Sequence, residues 1–527
     1  MASSLAVCML HMRVRGGLVK WLQNADTFLQ RSIGTNVAAQ AEATRTDETD
    51  EKDGCKSLYA VQAERQEQAE RSVLISCHSR TNDKKFLKYM SRHGNINKYF
   101  FYESYGVYAV VEFTNRESVA SLLEAVAIPS ISHESVVPFK SRLLSLRNLG
   151  SAETPNQLSG KLCQPQTTIP ISELIQRLSR EETIDQQITS LTESYQLTEE
   201  NSRLRFLVCS LLKDIAAAYF PECTIKPFGS SVNGFGKLGC DLDMFLDLDG
   251  IRGWNVKMPK SGLSLEYQMK RANSERAVTQ SILSVVGECV DQFGPGCVGV
   301  QKILNARCPL VRFAHQPSGF QCDLTANNRV AMKSTELLYL YGELDPRRRS
   351  SPVIPTLDHL RDLAGPTDKS VIEGNDCTFV SDFSKIQVQS NKETLEQLLC
   401  EFFEFYATFP FSRMSINIRK GKEQNKPEMA PLHIQNPFET SLNVSKNVNV
   451  TQLERFVALC QESSWLLQQS DTNTPRGGSG GDTVTTWGLA TLLLPSQVAG
   501  IKGRKRKRRE PASERIKSLL ESLKNKS

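Results

Sequence analysis

The sequence predicts an α+β multidomain chain: a small module of strands and helices, then a mixed-sheet domain with an acidic strand, then a helical domain. Three observations lead there. The 527 residues exceed what a single core organises, and a hydrophobic content of 39% is enough for several cores. Strand-like runs, such as 105–113 and the alternating 241–248, are interspersed with runs of helical period. Two polar stretches, 38–70 and 147–168, carry no apolar period and separate the packed units.

Charge and cysteine usage narrow the function classes. The formal net charge is +6, but Lys502 and the run Arg504 to Arg509 sit together near the C-terminus and leave the rest of the chain close to neutral. Contact with nucleic-acid phosphates must therefore come from local patches or from that run. The 14 cysteines show no CxxC pair and no His/Cys cluster at zinc spacing, which predicts neither a zinc site nor a disulfide framework. The longest apolar stretch, 206–220, is broken by Lys213 and Asp214 and falls short of the roughly 18 residues a membrane span needs, so no membrane partner is expected.

Residues 1–37 place Arg13, Arg15 and Lys20 among apolar residues, with no acid before Asp26. That mixture resembles an organelle transit peptide. Residues 38–70 read as a linker. Residues 71–146 read as a small α/β unit: a strand at 72–76, a helix at 84–92, a strand at 105–113, a helix at 118–127 and a last strand near 136–139. This order suggests a ferredoxin-like RNA-recognition-motif fold. Tyr108 and Phe113 stand where such folds carry aromatics, but Val110 and Leu74 replace two base-stacking positions. Base stacking needs exposed π-faces, so the module is expected to serve packing or dimerisation.

Residues 147–200 read as a linker with helices, and 201–345 as the sheet domain. Leu204, Leu207, Val208, Leu211, Leu212, Ile215 and Tyr219 fall at helical spacing and make one buried face, and Pro221 ends that helix. A strand at 223–228 then enters the glycine-rich turn Gly229-Ser230-Ser231, followed by Asp241-Leu-Asp243. Alternation puts Asp241, Asp243 and Asp247 on one face of the strand and Leu242, Met244, Leu246 and Leu248 on the other. Carboxylates two residues apart on a strand repel each other unless a hard cation sits between them. The small residues before them supply backbone N–H groups for phosphate oxygens, although the spacing is not that of a Walker loop. Residues 310–324 read as a hairpin turning at Gln316 to Gly319. Phe320, Cys322 and Leu324 face the core, so Asp323 points toward the other two acids. Asp241, Asp243 and Asp323 are the candidate catalytic and metal-ligating residues, and three such carboxylates suit two-metal phosphoryl transfer.

With these residues the chain resembles the DNA-polymerase-β-like nucleotidyltransferases, in the non-template poly(A) and poly(U) polymerase branch. The wording of 228–247, 301–311 and 434–444 carries the likeness, which runs from about Arg71 to Pro495. The resemblance implies a polymerase-β-like palm and Gly229 and Ser230 at the nucleotide phosphates. It also implies ATP as substrate, Mg²⁺ or Mn²⁺ as cofactor and mitochondrial RNA 3′ ends as acceptors. A homodimer through the RNA-recognition-like module and residence in the mitochondrial matrix, with a cytoplasmic pool as an alternative, belong to the same expectation. Residues 415–421 resemble the family's late nucleotide-recognition segment, and Asn436 to Glu439 a neighbouring structural motif.

One departure stands out. Residues 346–470 read as a PAP-associated central helical domain, but Asp345-Pro346 runs into Pro355-Thr356 where the family carries further helices lining the nucleotide pocket. Apolar faces near Phe402, Phe403 and Phe405 are therefore expected to lie uncovered. The functional alternatives are a terminal uridylyltransferase and a catalytically silent RNA-binding or dimerising form. Residues 471–527 read as a flexible basic tail ending in an amphipathic helix. The run 504–509 suits an RNA-phosphate arm, a nuclear-import signal or a solvated stretch.

Overall fold

The computed structural model describes residues 56–77, 83–126, 140–145, 168–248, 274–344, 352–353, 355–387, 389–390, 393–470 and 486–494. The expected transit peptide, the strand near 136–139, the basic run and the terminal amphipathic helix lie outside them. No helix among the described residues is long and apolar enough to cross a membrane.

The described residues begin with α1 (Leu58–Glu70), inside the stretch expected to be linker. Its buried positions are Leu58, Gln62 and Ala69, so it shows no apolar period, and it docks through polar contacts instead. Gln62 Nε2 donates to Pro227 O at 3.0 Å, and Arg65 Nη2 donates to Glu199 Oε2 at 2.6 Å. The module continues as β1 (Ser72–Cys77), α2 (Asp83–Met90), β2 (Ile96–Glu103), β3 (Val107–Phe113), α3 (Arg116–Ala125) and β4 (Leu143–Ser145). Sheet order is β2-β3-β1-β4, as in the expected fold, but β4 runs parallel to β1.

Both faces of this sheet are apolar. Val73, Ile75, Val111 and Phe113 pack on Phe86, Met90 and Leu122 from the two helices. The opposite face, Leu74, Tyr102 and Val110, belongs to the core of the following domain. Tyr102 is fully buried and its hydroxyl donates to Pro317 O at 2.7 Å, while the Tyr108 ring stacks on it at 5.7 Å. The face where an RNA-recognition sheet would stack bases is thus sealed against protein, and the module packs as the substitutions at 74 and 110 led us to expect.

Helices α4 (Ile171–Leu178) and α5 (Ile184–Tyr195) lead to α6 (Glu199–Ala216), which Thr198 caps through Asn201 N–H. The palm sheet follows: β5 (Thr224–Pro227), β6 (Leu242–Asp247), α7 (Glu275–Phe293), β7 (Cys297–Ile303), β8 (Leu310–His315) and β9 (Phe320–Ala326). Its order is β5-β6-β9-β8-β7, with β6 and β9 parallel and the other pairs antiparallel. Leu242, Met244, Leu246, Cys322 and Leu324 are all 0% exposed and face α6 and α7, as the alternation predicts.

Helix α8 (Arg329–Glu343) leaves the palm for the helical domain, made of α9 (Leu357–Asp362), α10 (Leu395–Thr408), β10 (Met414–Asn417), β11 (Lys422–Asn425), β12 (Ile434–Gln435) and α11 (Val450–Ser470). Phe402, Phe403 and Phe405 are not left bare. α11 lies along α10, and their rings are half-buried against Tyr406, Phe409 and Phe456. Among the described residues of this domain, Trp465 on α11 stays in solvent, 57% exposed.

The expected boundary of the helical domain also shifts. Leu174, Leu178, Ile184 and Ile188 of α4 and α5 share a core with Leu395, Leu399 and Leu467 rather than with the palm. Part of the expected tail joins them: α12 (Leu489–Leu492) docks on the fully buried Gln187, whose Oε1 accepts from Leu489 N at 2.7 Å.

Candidate active site

The site forms where the two parallel palm strands meet. Asp243 on β6 stands opposite Asp323 on β9, and Arg312 on β8 stands opposite Asp323 on its other side. Asp241 immediately precedes β6. Its carbonyl and that of Cys240 accept from the Arg205 guanidinium at 2.9 and 2.8 Å.

The Asp243 carboxyl is pushed up to about 6, first by burial and then by the charges of Asp323 and Asp241. Carboxylates crowded into a place where burial already disfavours charge are a donor set for a hard divalent cation. Asp243 thus feels the charges of both other expected acids, Asp241 and Asp323. The three do not form a ready-made cage: Arg312 engages Asp323 with two bonds, Nε to Oδ1 at 2.7 Å and Nη2 to Oδ2 at 2.6 Å. Among the described residues no three His, Cys, Asp or Glu side chains are gathered as ligands.

The phosphate turn lies beside them. Gly229 has φ +62°, and a Cβ there would meet Asp243 Oδ2 at 3.4 Å, so glycine brings the backbone against the carboxylate. Its N–H is held by Thr335 Oγ1 on α8 at 3.0 Å, which fixes the turn against the helix. Ser230 Oγ donates to Cys240 Sγ at 3.6 Å. Asn233 is 1% exposed; its Oδ1 accepts from Phe235 N at 2.9 Å, while its Nδ2 has no partner among the described residues.

These residues floor a cleft of about 680 Å³ between the palm and the helical domain. Arg307 and Pro309 line one wall, Ser334 and Thr335 another, and Asn436, Glu439 and Lys446 close the far side. Arg307 Nη2 bridges to Glu439 Oε1 at 2.6 Å and ties the palm to that far wall. Asn436 Oδ1 accepts from Phe438 N and Glu439 N, both at 2.9 Å, which sets the loop that presents Glu439. In 415–421 only Ile418 reaches the cleft. Ser415 and Asn417 are buried behind it, and Arg419 is pinned by Asp358 at 2.6 Å. Apart from Ile418, that segment supports the wall rather than lining it.

Sequence reading missed Arg205, which is 0% exposed and also donates to Ser231 Oγ at 2.9 Å, with its guanidinium carbon 4.7 Å from the Phe320 ring centre. Its signal was a cation on the apolar stripe, three residues before Val208 and seven before Leu212. Thr335 gave no such signal.

Residues 184–343 match the family described as poly(A) RNA polymerase, mitochondrial-like, central palm domain. Residues 57–127 match the RL domain, and 394–443 the Cid1 family poly A polymerase. The chain is 52% identical over 506 residues to the mitochondrial poly(A) RNA polymerase of Homo sapiens, across 88% of this chain and 85% of that protein. The chain belongs to the mitochondrial poly(A) RNA polymerase family. Its Mus musculus relative is 49% identical over 541 aligned residues, covering 94% of this chain and 91% of the relative. That alignment is longer than the 527 residues present, so the mouse protein carries residues this chain lacks. The crystal structure of mtPAP in complex with ATPγS superposes with a TM-score of 0.72 at 48% identity, covering 84% of this chain and all of that one.

Proposed function

We propose that this chain is a template-independent polynucleotide adenylyltransferase that moves AMP from ATP onto the 3′ ends of mitochondrial RNA. The observation that carries the reading is Asp243, in register with Asp323 and beside the Gly229–Ser230 turn, at the floor of a cleft large enough for a nucleotide. The family names of the relatives in mouse and human support it.

Asp241, Asp243 and Asp323 would hold Mg²⁺ or Mn²⁺, which when bound supplies positive charge to the transferring phosphoryl group and acidifies the attacking hydroxyl. The chain's own residues do the positioning. Gly229 and Ser230 seat the triphosphate, Thr335 fixes that turn, and Arg205 pins the carbonyls of Cys240 and Asp241 so that the acid pair keeps its direction. The cleft walls are joined through Arg307 and Glu439, which sets their spacing around the reacting groups.

A related mtPAP has been crystallised with ATPγS, GTP, UTP and CTP, so base preference is read from extension. The test is extension of a short labelled RNA with Mg²⁺ or Mn²⁺ and each nucleoside triphosphate in turn. Extension with ATP above the others is expected, and preferential UTP extension would replace the reading with uridylyl transfer. The shortfall in length against the mouse relative favours a second reading, a silent form, for which no nucleotide is added. Dimerisation through the RL module and residence in the matrix complete the proposal. Tyr99 on the edge strand β2, 45% exposed, and the neighbouring Tyr105, 77% exposed, support the first.

A further inference from the structure

Asp243, Asp323, Arg312 and Gln301 stand opposite one another across β6, β9, β8 and β7, one row on the open face of the palm sheet. Arg312 holds both oxygens of Asp323 in a two-pronged bridge, yet its side chain is 50% exposed against 18% for the aspartate. A divalent ion shared by Asp243 and Asp323 needs oxygen lone pairs that the fork now occupies, and its charge repels the guanidinium beside it. Neither Arg312 nor Asp323 lines the nucleotide cleft. Both therefore lie outside the nucleotide cleft while keeping the acid pair's register.

We infer that Arg312 is a counter-cation that a divalent metal displaces from Asp323, and that the released guanidinium then takes a phosphate of the RNA 3′ end. The inference rests on the metal reading of the three aspartates. It makes metal loading and RNA seating one linked event: the primer's phosphate meets a free cation only after Asp323 has exchanged partners. Arginine suits the role because one planar fork matches a carboxylate and a phosphate equally well.

The experiment uses the full chain and two readouts besides activity: Mn²⁺ binding followed by electron paramagnetic resonance, and binding of a fluorescein-labelled oligoadenylate with and without Mn²⁺. Arg312→Gln is expected to bind Mn²⁺ about fivefold more tightly, the scale of a half-exposed ion pair no longer competing. The same variant is expected to lose the Mn²⁺-dependent gain in RNA affinity, with a salt slope shallower by about 0.7, one single-strand phosphate contact. Arg312→Lys, which keeps the charge without the fork, is expected between the two in Mn²⁺ affinity. Unchanged or weaker Mn²⁺ binding by both variants overturns the exchange. Asp323→Asn tests the underlying reading separately: if it binds Mn²⁺ like the parent protein, the metal assignment itself fails, whatever Arg312 does.

Discussion

Replacing Asp243 by asparagine is expected to make the protein more stable while abolishing its chemistry. The carboxyl is raised from 3.8 to about 6, by burial first and then by Asp323 and Asp241. A folded-state value above the unfolded one means that between about pH 4 and 6 the folded protein keeps a proton the unfolded chain has lost. Stability contributed by that proton falls as pH rises through this window. Above it the ionised group costs up to about 3 kcal/mol, at roughly 1.4 kcal/mol per pH unit. Asparagine keeps the shape and removes the charge. For a domain the size of the palm, the gain has a ceiling of about 10 °C in melting temperature. The assay is a thermal melt of both proteins in EDTA at pH 7.5 and pH 4.5, repeated with Mg²⁺. Asp243→Asn should melt higher at pH 7.5, the gap should close toward pH 4.5, and Mg²⁺ should raise only the parent. A variant less stable than its parent at pH 7.5, or a gap indifferent to pH, refutes the account of crowded carboxylates.

Three further outcomes are expected. Gly229→Ala places a side chain in the left-handed region 3.4 Å from Asp243 Oδ2, so urea titration should show a loss of about 1–2 kcal/mol and RNA extension should fall sharply. Asn233→Asp keeps the acceptor for Phe235 N–H but turns the unpartnered Nδ2 into oxygen, so calorimetry should show ATP binding weakened about tenfold with adenosine binding unchanged. Arg205→Met releases Ser231, Cys240 and Asp241 together, and about 3 kcal/mol of stability should be lost, with an extension defect that saturating ATP does not rescue and Arg205→Lys rescues only in part.

Much of the palm was legible because it obeys short-range rules. Alternation alone turned Asp243 away from Leu242 and Met244, and a turn at Gln316 to Gly319 forced His315 opposite Phe320. That register also places Arg312 opposite Asp323, so the fork could have been drawn from the hairpin. What stayed hidden depends on partners far along the chain. α1 has no apolar stripe because Gln62 and Arg65 dock by hydrogen bonds to residues 165 and 134 positions away. α4 and α5 looked like connectors because the surface they bury, on Leu395 and Leu467, arrives more than two hundred residues later. The half-covering of Phe402, Phe403 and Phe405 likewise depends on α11, whose approach no local pattern announces.

The sealed sheet face has a consequence for how the chain is made. Leu74, Tyr102 and Val110 leave the ribosome in a module complete in its strands by Ser145, but the surface that covers them is finished only at β9, which ends at Ala326. At roughly 5–20 residues per second, that interval lasts on the order of ten to forty seconds, during which an adhesive patch is presented to everything nearby. A chain cut between the two units would keep that patch for good. The same apolar residues that take the place of base-stacking aromatics thus tie the module to its C-terminal neighbour, which alone covers them.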